Sequence, residues 1–319
     1  MSEEPGTTTD PVRKRIELPR LGPCVLIDTA GLGDESALGE ERERRTRAVI
    51  DETDVAVCLG ASLPLLEKAG IPIVVYKRGE SIDSLLERIA ALAPEKEERF
   101  LTGNLVKTGD VVVLLMPQDG EAPKGRLILP QVQVLRELLD RGCTPVCCTP
   151  ASIERTLGSL KEAPALVITD SQVFDIADRS IPRNWPLTSF SVLLAAAKGD
   201  LRAYIDGAGA IDRLKPDSRV LIAEACTHVP ASEDIGRVKI PALLRRRFGE
   251  SLKVDIAAGN DFPEVLDSYD LVIHCGACTA TSTLVRSRIR KASCAGIPIT
   301  NYGIAIAKLK GILGRIALP

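Results

Sequence analysis

The sequence predicts an α/β protein made of three small parallel-sheet units. Two patterns and one bound carry that prediction. Short β-branched runs alternate with amphipathic helical stretches along the chain. The runs are continuously apolar, as strands covered on both faces by helices are. The bound is size: 319 residues with 45% apolar and 26% charged side chains supply more than one core.

Taken in order, strands are expected at 25–27, 55–59, 73–76, 111–116, 146–148, 166–169, 220–223, 253–256 and 271–274. Helices are expected at 40–52, 82–93, 131–140, 151–160, 189–197, 241–248, 283–294 and 304–313. The charged run Pro94-Glu-Lys-Glu-Glu-Arg99 closes a first unit, 1–99. Asn184-Trp-Pro-Leu-Thr188 and Lys198-Gly-Asp200 bracket a helix that joins a second unit, 100–187, to a third, 188–319. Gly120–Gln131 is too rich in Gly and Pro to read as a helix. It reads as an extended arm reaching a neighbour's sheet, or as an ordinary strand. The sequence shows no internal repeat.

Composition removes several functions. Lys plus Arg (41) nearly balance Asp plus Glu (43), so no basic field points to nucleic acid. Aromatics at 3% leave no base-stacking platform. No apolar run approaches the roughly 20 residues of a membrane span. The first residues lack a basic and an apolar signal region, so the expected address is the cytoplasm.

In the first unit, Val25-Leu-Ile27 delivers Asp28-Thr-Ala-Gly31, the strand-then-loop arrangement that holds magnesium and the γ-phosphate in P-loop GTPases. Gly6-Thr7-Thr8-Thr9-Asp10 resembles the switch segment whose Thr hydroxyl reaches the metal. Asp28, Gly31, Thr8 and Thr9 are therefore the candidate residues for GTP and Mg2+. The bland alternative for Asp28-Thr-Ala-Gly31 is a strand-end turn. No phosphate loop of the form G-x-x-x-x-G-K-[ST] lies upstream of the switch Thr. Gly120-Glu-Ala-Pro-Lys-Gly125-Arg126-Leu127 is a decoy with the wrong residues at its end. Lys77-Arg78-Gly79-Glu80 stands where the guanine-reading Asn-Lys-x-Asp should follow a strand. GTPase activity is therefore in doubt for this chain, and GTP binding is expected to be weak or absent.

Nine cysteines accompany two histidines, and both histidines lie beside cysteines. Cys226-Thr-His228 follows one expected strand, and His274-Cys275-Gly-Ala-Cys278 ends another. In parallel sheets, loops at the carboxyl ends of strands form ligand sites. Three readings are open: a zinc site of three Cys and one His, a thiol–disulfide oxidoreductase using Cys275 and Cys278, and an iron–sulfur cluster on three thiolates. The 46 residues between His228 and Cys275 exceed a compact finger, but neighbouring strands could join the two loops. Cys24, Cys58, Cys143, Cys147, Cys148 and Cys294 read as packing. Cys147 and Cys148 point to opposite sheet faces.

These motifs resemble HydF, the scaffold and GTPase family of FeFe-hydrogenase maturation. The resemblance runs through Gly6–Val12, Leu26–Gly31, Ala122–Gln131, Val167–Gln172, Pro186–Ser191, Ile222–His228, Asp234–Pro241, Leu271–Cys278 and Ile297–Gly303. It implies a GTPase-like unit, a dimerisation unit and a cluster-binding unit over the three segments above. It also implies a 4Fe-4S cluster on Cys226, Cys275 and Cys278, with His228 or His274 at the fourth iron. The cargo is a di-iron precursor delivered to apo-FeFe-hydrogenase. The implied partners are that enzyme, the radical-SAM maturases of the same pathway and a second copy in a homodimer. Arg237 and Lys239 are candidates to offset the anionic precursor, against a reading as a solvated loop pair. After Cys278 the chain departs from the family, with Thr279-Ala-Thr-Ser-Thr283 in place of Met and Asn-Arg.

Overall fold

The structure is a computed structural model that describes residues 11–29, 49–60, 64–94, 100–118, 126–225, 234–259 and 261–319. It divides into two compact units, Met1–Glu97 and Glu98–Pro319. Thr8, Thr9, Gly31, Cys226 and His228 lie outside the described residues, as do Gly120–Gly125 and most of the helix expected at 40–52.

In the first unit, β1 (Val12–Leu18) and β2 (Gly22–Asp28) form an antiparallel hairpin, and β3 (Ala56–Leu59) pairs in parallel with β4 (Ile73–Tyr76) across α1 (Pro64–Ala69). β1 is missed by the sequence reading because Val12-Arg-Lys-Arg-Ile-Glu-Leu18 is dominated by charge. Val25 and Leu26 are half-exposed, not buried on both faces as expected. After β4, α2 (Ile82–Leu92) starts at Ser81, whose hydroxyl accepts the Ser84 N–H.

The second unit holds two four-stranded parallel sheets. The first is built from β5 (Val111–Leu115), α3 (Leu129–Asp140), β6 (Thr144–Cys148), α4 (Ile153–Ser159), β7 (Leu166–Thr169), α5 (Phe174–Ser180) and β8 (Leu187–Ser189), with strand order β6-β5-β7-β8. α6 (Phe190–Lys198) and α7 (Leu201–Ala208) lead to the second sheet. That sheet is β9 (Arg219–Ala223), α8 (Ile240–Phe248), β10 (Lys253–Ala257), β11 (Leu271–His274), α9 (Ser282–Cys294), β12 (Ile299–Asn301) and then α10 (Tyr302–Leu309), with order β10-β9-β11-β12.

The two orders are the same, which corrects the expectation of no internal repeat. The registers agree residue for residue. Leu115 pairs with Cys148 and Thr169, and Ala223 pairs with Ala257 and His274 in the same places. Thr169 pairs with Ser189 as His274 pairs with Asn301. Even flanking bonds match: Met116 N–H to Cys148 O (2.9 Å) and Glu224 N–H to Ala257 O (2.8 Å). A Pro starts α3 and α8, where its missing N–H costs nothing. Ser189 caps α6 and Asn301 caps α10. Placed by that register, Arg126-Leu-Ile-Leu-Pro130 corresponds to Arg237-Val-Lys-Ile-Pro241, and Pro186–Phe190 to Pro298–Tyr302.

The halves also exchange their ends. α7 follows the first sheet but packs on β12, so closely that a Cβ on Gly207 would run into the Ile299 backbone. Thr300 Oγ1 donates to Tyr204 O at 2.8 Å. Reciprocally, the chain after α10 returns to the first sheet, where Ile316 bridges Leu187 and Ala317 N–H donates to Leu187 O (2.7 Å). One apolar core accordingly runs through both sheets, from Val113 and Val167 to Val220 and Ile273. A smaller core, including Leu114, Ile168, Val134 and Phe190, fills the other face of the first sheet.

Three further expectations are corrected. Leu129–Gln131 is the first turn of α3, because Pro is tolerated at the start of a helix. Cys147 and Cys294 are exposed, while Cys58, Cys143 and Cys148 are buried. β8 and β12 are strands of three residues each and run directly into helices, which hid them within helical patterns.

Candidate functional site

The thiol site forms at the carboxyl edge of the second sheet, where the parallel pairing of β9 and β11 sets two loops side by side. Val220, Leu221, Ile222 and Ala223 are fully or nearly fully buried, as are Leu271, Val272, Ile273 and His274. Their register places Ala223 beside His274, and the Cys275 N–H donates to Ala223 O at 2.9 Å. The next residues of both strands therefore leave the sheet together.

The sulfur of Cys275 lies between two backbone donors. The Ala225 N–H reaches Sγ at 3.1 Å and the Ala277 N–H reaches it at 3.4 Å. Donors of this kind stabilise a thiolate over a thiol. Ala225 is the residue before Cys226, so the first of the two cysteine loops starts against the sulfur of the second. Cys275 and Cys278 are both half-buried, and neither is in a disulfide. The turn between them sets Ala277 at φ 50°, the left-handed region a non-glycine residue adopts only when its surroundings impose it. α9 begins at Ser282, after the turn, so the Cys275-x-x-Cys278 pair does not open a helix.

His274 points away from this chemistry. It is fully buried; its Nδ1 lies 2.8 Å from Cys275 O and its Nε2 3.3 Å from Arg288 Nη1. Arginine only donates, so Nε2 is the acceptor and Nδ1–H the donor. Burial first, and then the Arg288 charge, push its pKa down to about 4. A neutral ring with both nitrogens engaged is a structural strut under the loop. The Arg288 guanidinium in turn donates to Glu224 O (3.1 Å) and Gly259 O and stacks on Phe262. Asn301 Nδ2 donates to Cys275 O at 3.4 Å.

Arg237 and Lys239 are already committed. Arg237 donates to the buried Glu224 carboxylate from Nη2 (2.8 Å) and Nε (3.2 Å), while its own N–H is capped by Asp234. That bond is the first cause raising the Arg237 pKa. Lys239 Nζ donates to Gln172 Oε1 at 2.7 Å. Both side chains are engaged within the protein, which counts against the solvated-loop reading.

Sequence reasoning missed Lys198. From the end of α6 its Nζ donates to the carbonyls of Ala277, Cys278 and Ala280. Burial lowers its pKa, and the nearby Cys278 and Cys275 act the other way. A lysine 77 residues before Cys275 carries no local signal of this contact.

Among the described residues no group of three His, Cys, Asp or Glu side chains is set to hold a metal; Cys226 and His228 lie outside them. The donors that are described fit an iron–sulfur group by their chemistry, with two half-buried cysteine sulfurs and backbone N–H groups on one of them. In the first unit, Asp28 is exposed at the end of β2. Glu80, placed where the Asp of a guanine-reading motif would stand, is tied to Arg88 (3.0 Å) and Ser84 (2.9 Å). The Lys77 N–H, then Arg88, hold its carboxyl below the usual range.

Comparison with known proteins agrees with this layout. Residues 101–199 match the hydrogen maturase F dimerization domain, and residues 202–319 match the hydrogen maturase F tetramerization domain. The descriptions of both matched domains point to oligomerization, the coarser part of the homodimer expectation. Over 81 residues the chain is also 38% identical to a tRNA modification GTPase, MnmE, of Methylobacterium radiotolerans, a match covering 24% of this chain and 18% of that protein. This supports a GTPase-like character weakly. No helix among the described residues is long and apolar enough to cross a membrane. With one matched domain on each of the two repeated sheets, the chain belongs to the hydrogen maturase F family, HydF.

Proposed function

We propose that the chain is a scaffold that holds a 4Fe-4S cluster through Cys226, Cys275 and Cys278 and passes a di-iron precursor to apo-hydrogenase. The observation that carries this reading is the Ala225 N–H bond to Cys275 Sγ. It ties the start of the Cys226 loop to the sulfur of the other loop. Three thiolates leave one iron without a cysteine, the position at which a labile fragment can be bridged and released. With both nitrogens of His274 engaged, His228 is the better candidate for that iron. The radical-SAM maturases and a cytoplasmic setting belong to the same proposal.

Anaerobic reconstitution with iron and sulfide tests it. The expected product is brown, absorbs near 400 nm (about that wavelength for cysteinyl iron–sulfur charge transfer) and contains about four irons per chain. Colourless protein that reduces insulin disulfides would instead establish the oxidoreductase reading of Cys275 and Cys278. Protein that takes up zinc alone would establish the structural-zinc reading.

The nucleotide part is proposed to be silent. The Glu80 carboxylate, at the place of the guanine-reading Asp, is engaged by Arg88 and Ser84. Isothermal titration is expected to show no micromolar GTP binding, and a micromolar isotherm would refute this.

A further inference from the structure

The internal repeat gives Lys198 a built-in comparison. Lys198 closes α6 and Lys310 follows α10, at equivalent places in the two halves, and each is followed by glycine. Both lysines cross to the opposite half. Lys310 Nζ meets a carboxylate, Asp175 Oδ2, at 2.5 Å on the segment after β7. Lys198 Nζ meets the segment after β11 and finds carbonyls alone: Ala277 at 2.8 Å, Cys278 at 2.9 Å and Ala280 at 3.0 Å.

An ammonium has three N–H donors and accepts nothing, so one turn of backbone takes all three protons. Among the described residues no carboxylate pairs with Lys198. A half-buried cation without an opposite charge is costly. Bound to metal, the sulfurs of Cys278 and Cys275 would supply the opposite charge. The same three bonds fix a turn that needs fixing, since Ala277 stands at φ 50°.

We propose that Lys198 is a positioning residue for the cluster loop. It holds the 277–280 turn that presents Cys278, and its charge balances the thiolate-bound iron–sulfur group. The inference rests on the cluster reading above. It adds that the half matched to dimerization reaches into the cluster site of the other half through this one side chain.

The test uses the full chain, anaerobically reconstituted, in four forms: wild type, Lys198→Met, Lys198→Arg and Lys310→Met. Two readouts are taken, the rate of iron loss to a ferrous chelator and the midpoint potential of the cluster by EPR-monitored titration. Lys198→Met is expected to release iron about tenfold faster, the lower end of the effect of a lost outer-shell partner. Its potential is expected to fall, because a cation that favours the more negative reduced state is gone. Lys198→Arg is expected to restore the potential, and Lys310→Met to change neither readout. A merely structural lysine would leave the potential unmoved. Should Lys198→Met fail to fold, Lys198→Gln replaces it, keeping a donor without the charge, and its potential is expected to fall. Wild type and the charge-lacking variant with the same potential and the same release rate would overturn the inference alone. Wild type that binds no iron would overturn the cluster reading, and this inference with it.

Discussion

The two halves of Glu98–Pro319 share one scaffold and differ at one edge. At the carboxyl edge of the first sheet stand polar groups that satisfy one another. Gln131 Nε2 donates to Asp170 Oδ2 (2.8 Å), Ser171 to Ser189 (2.9 Å) and Thr169 to Leu115 O (3.0 Å), all of them buried. At the same edge of the second sheet, Asp170 is replaced in register by Cys275 and Thr169 by His274. The polar set closes on itself, while the sulfur set is held by donors and leaves two thiols half-buried. A repeated fold therefore fixes where a site can form, and the residues at the loop positions decide whether one does.

The largest effect on this comparison is expected from the brace beside the thiol loop. Arg237→Met leaves the Glu224 carboxylate, 2% exposed, without its partner. Breaking a buried pair from one side costs about 3–5 kcal/mol. Chemical denaturation should show a loss of that order, and a loss below about 1 kcal/mol would mean the brace is not needed.

Next comes a pH effect that the first half cannot show, since Thr169 does not titrate. His274 is neutral when folded, with its pKa pushed down to about 4, and faces Arg288 from α9 and the Cys275 carbonyl. Unfolded, it protonates near 6.5. The unfolded chain thus binds the extra proton between these values. Stability is full above pH 6.5 and falls as the pH drops toward 4, by about 3 kcal/mol in all. Urea melts of the iron-free protein at pH 7.5, 5.5 and 4.5 should trace that loss, and His274→Gln should flatten it. An unchanged slope in that variant would contradict the buried neutral ring.

The sequence carried much of this fold. Long apolar strands such as Val111–Leu115 and Leu271–His274 were legible because both faces are buried and every residue is apolar or nearly so. The repeat was not, since its halves diverge at the very loop residues that draw the eye, Asp170 against Cys275. It shows only in register, in Leu187–Ser189 and Ile299–Asn301, which are too short to stand out from the helices they start. Of the site, Cys275 and Cys278 were legible from spacing. Lys198 and Arg288 were not, because each reaches the loop through tertiary packing, and the engaged ring of His274 has no sequence signature.

The central claim is that the loops after β9 and β11 grip iron jointly. Mössbauer spectroscopy of protein reconstituted with iron-57 tests it most directly, with wild type set against Cys226→Ala and Cys275→Ala. The account predicts one four-iron cluster signal in wild type and its loss or conversion in both variants alike. A full wild-type spectrum from Cys226→Ala would contradict it.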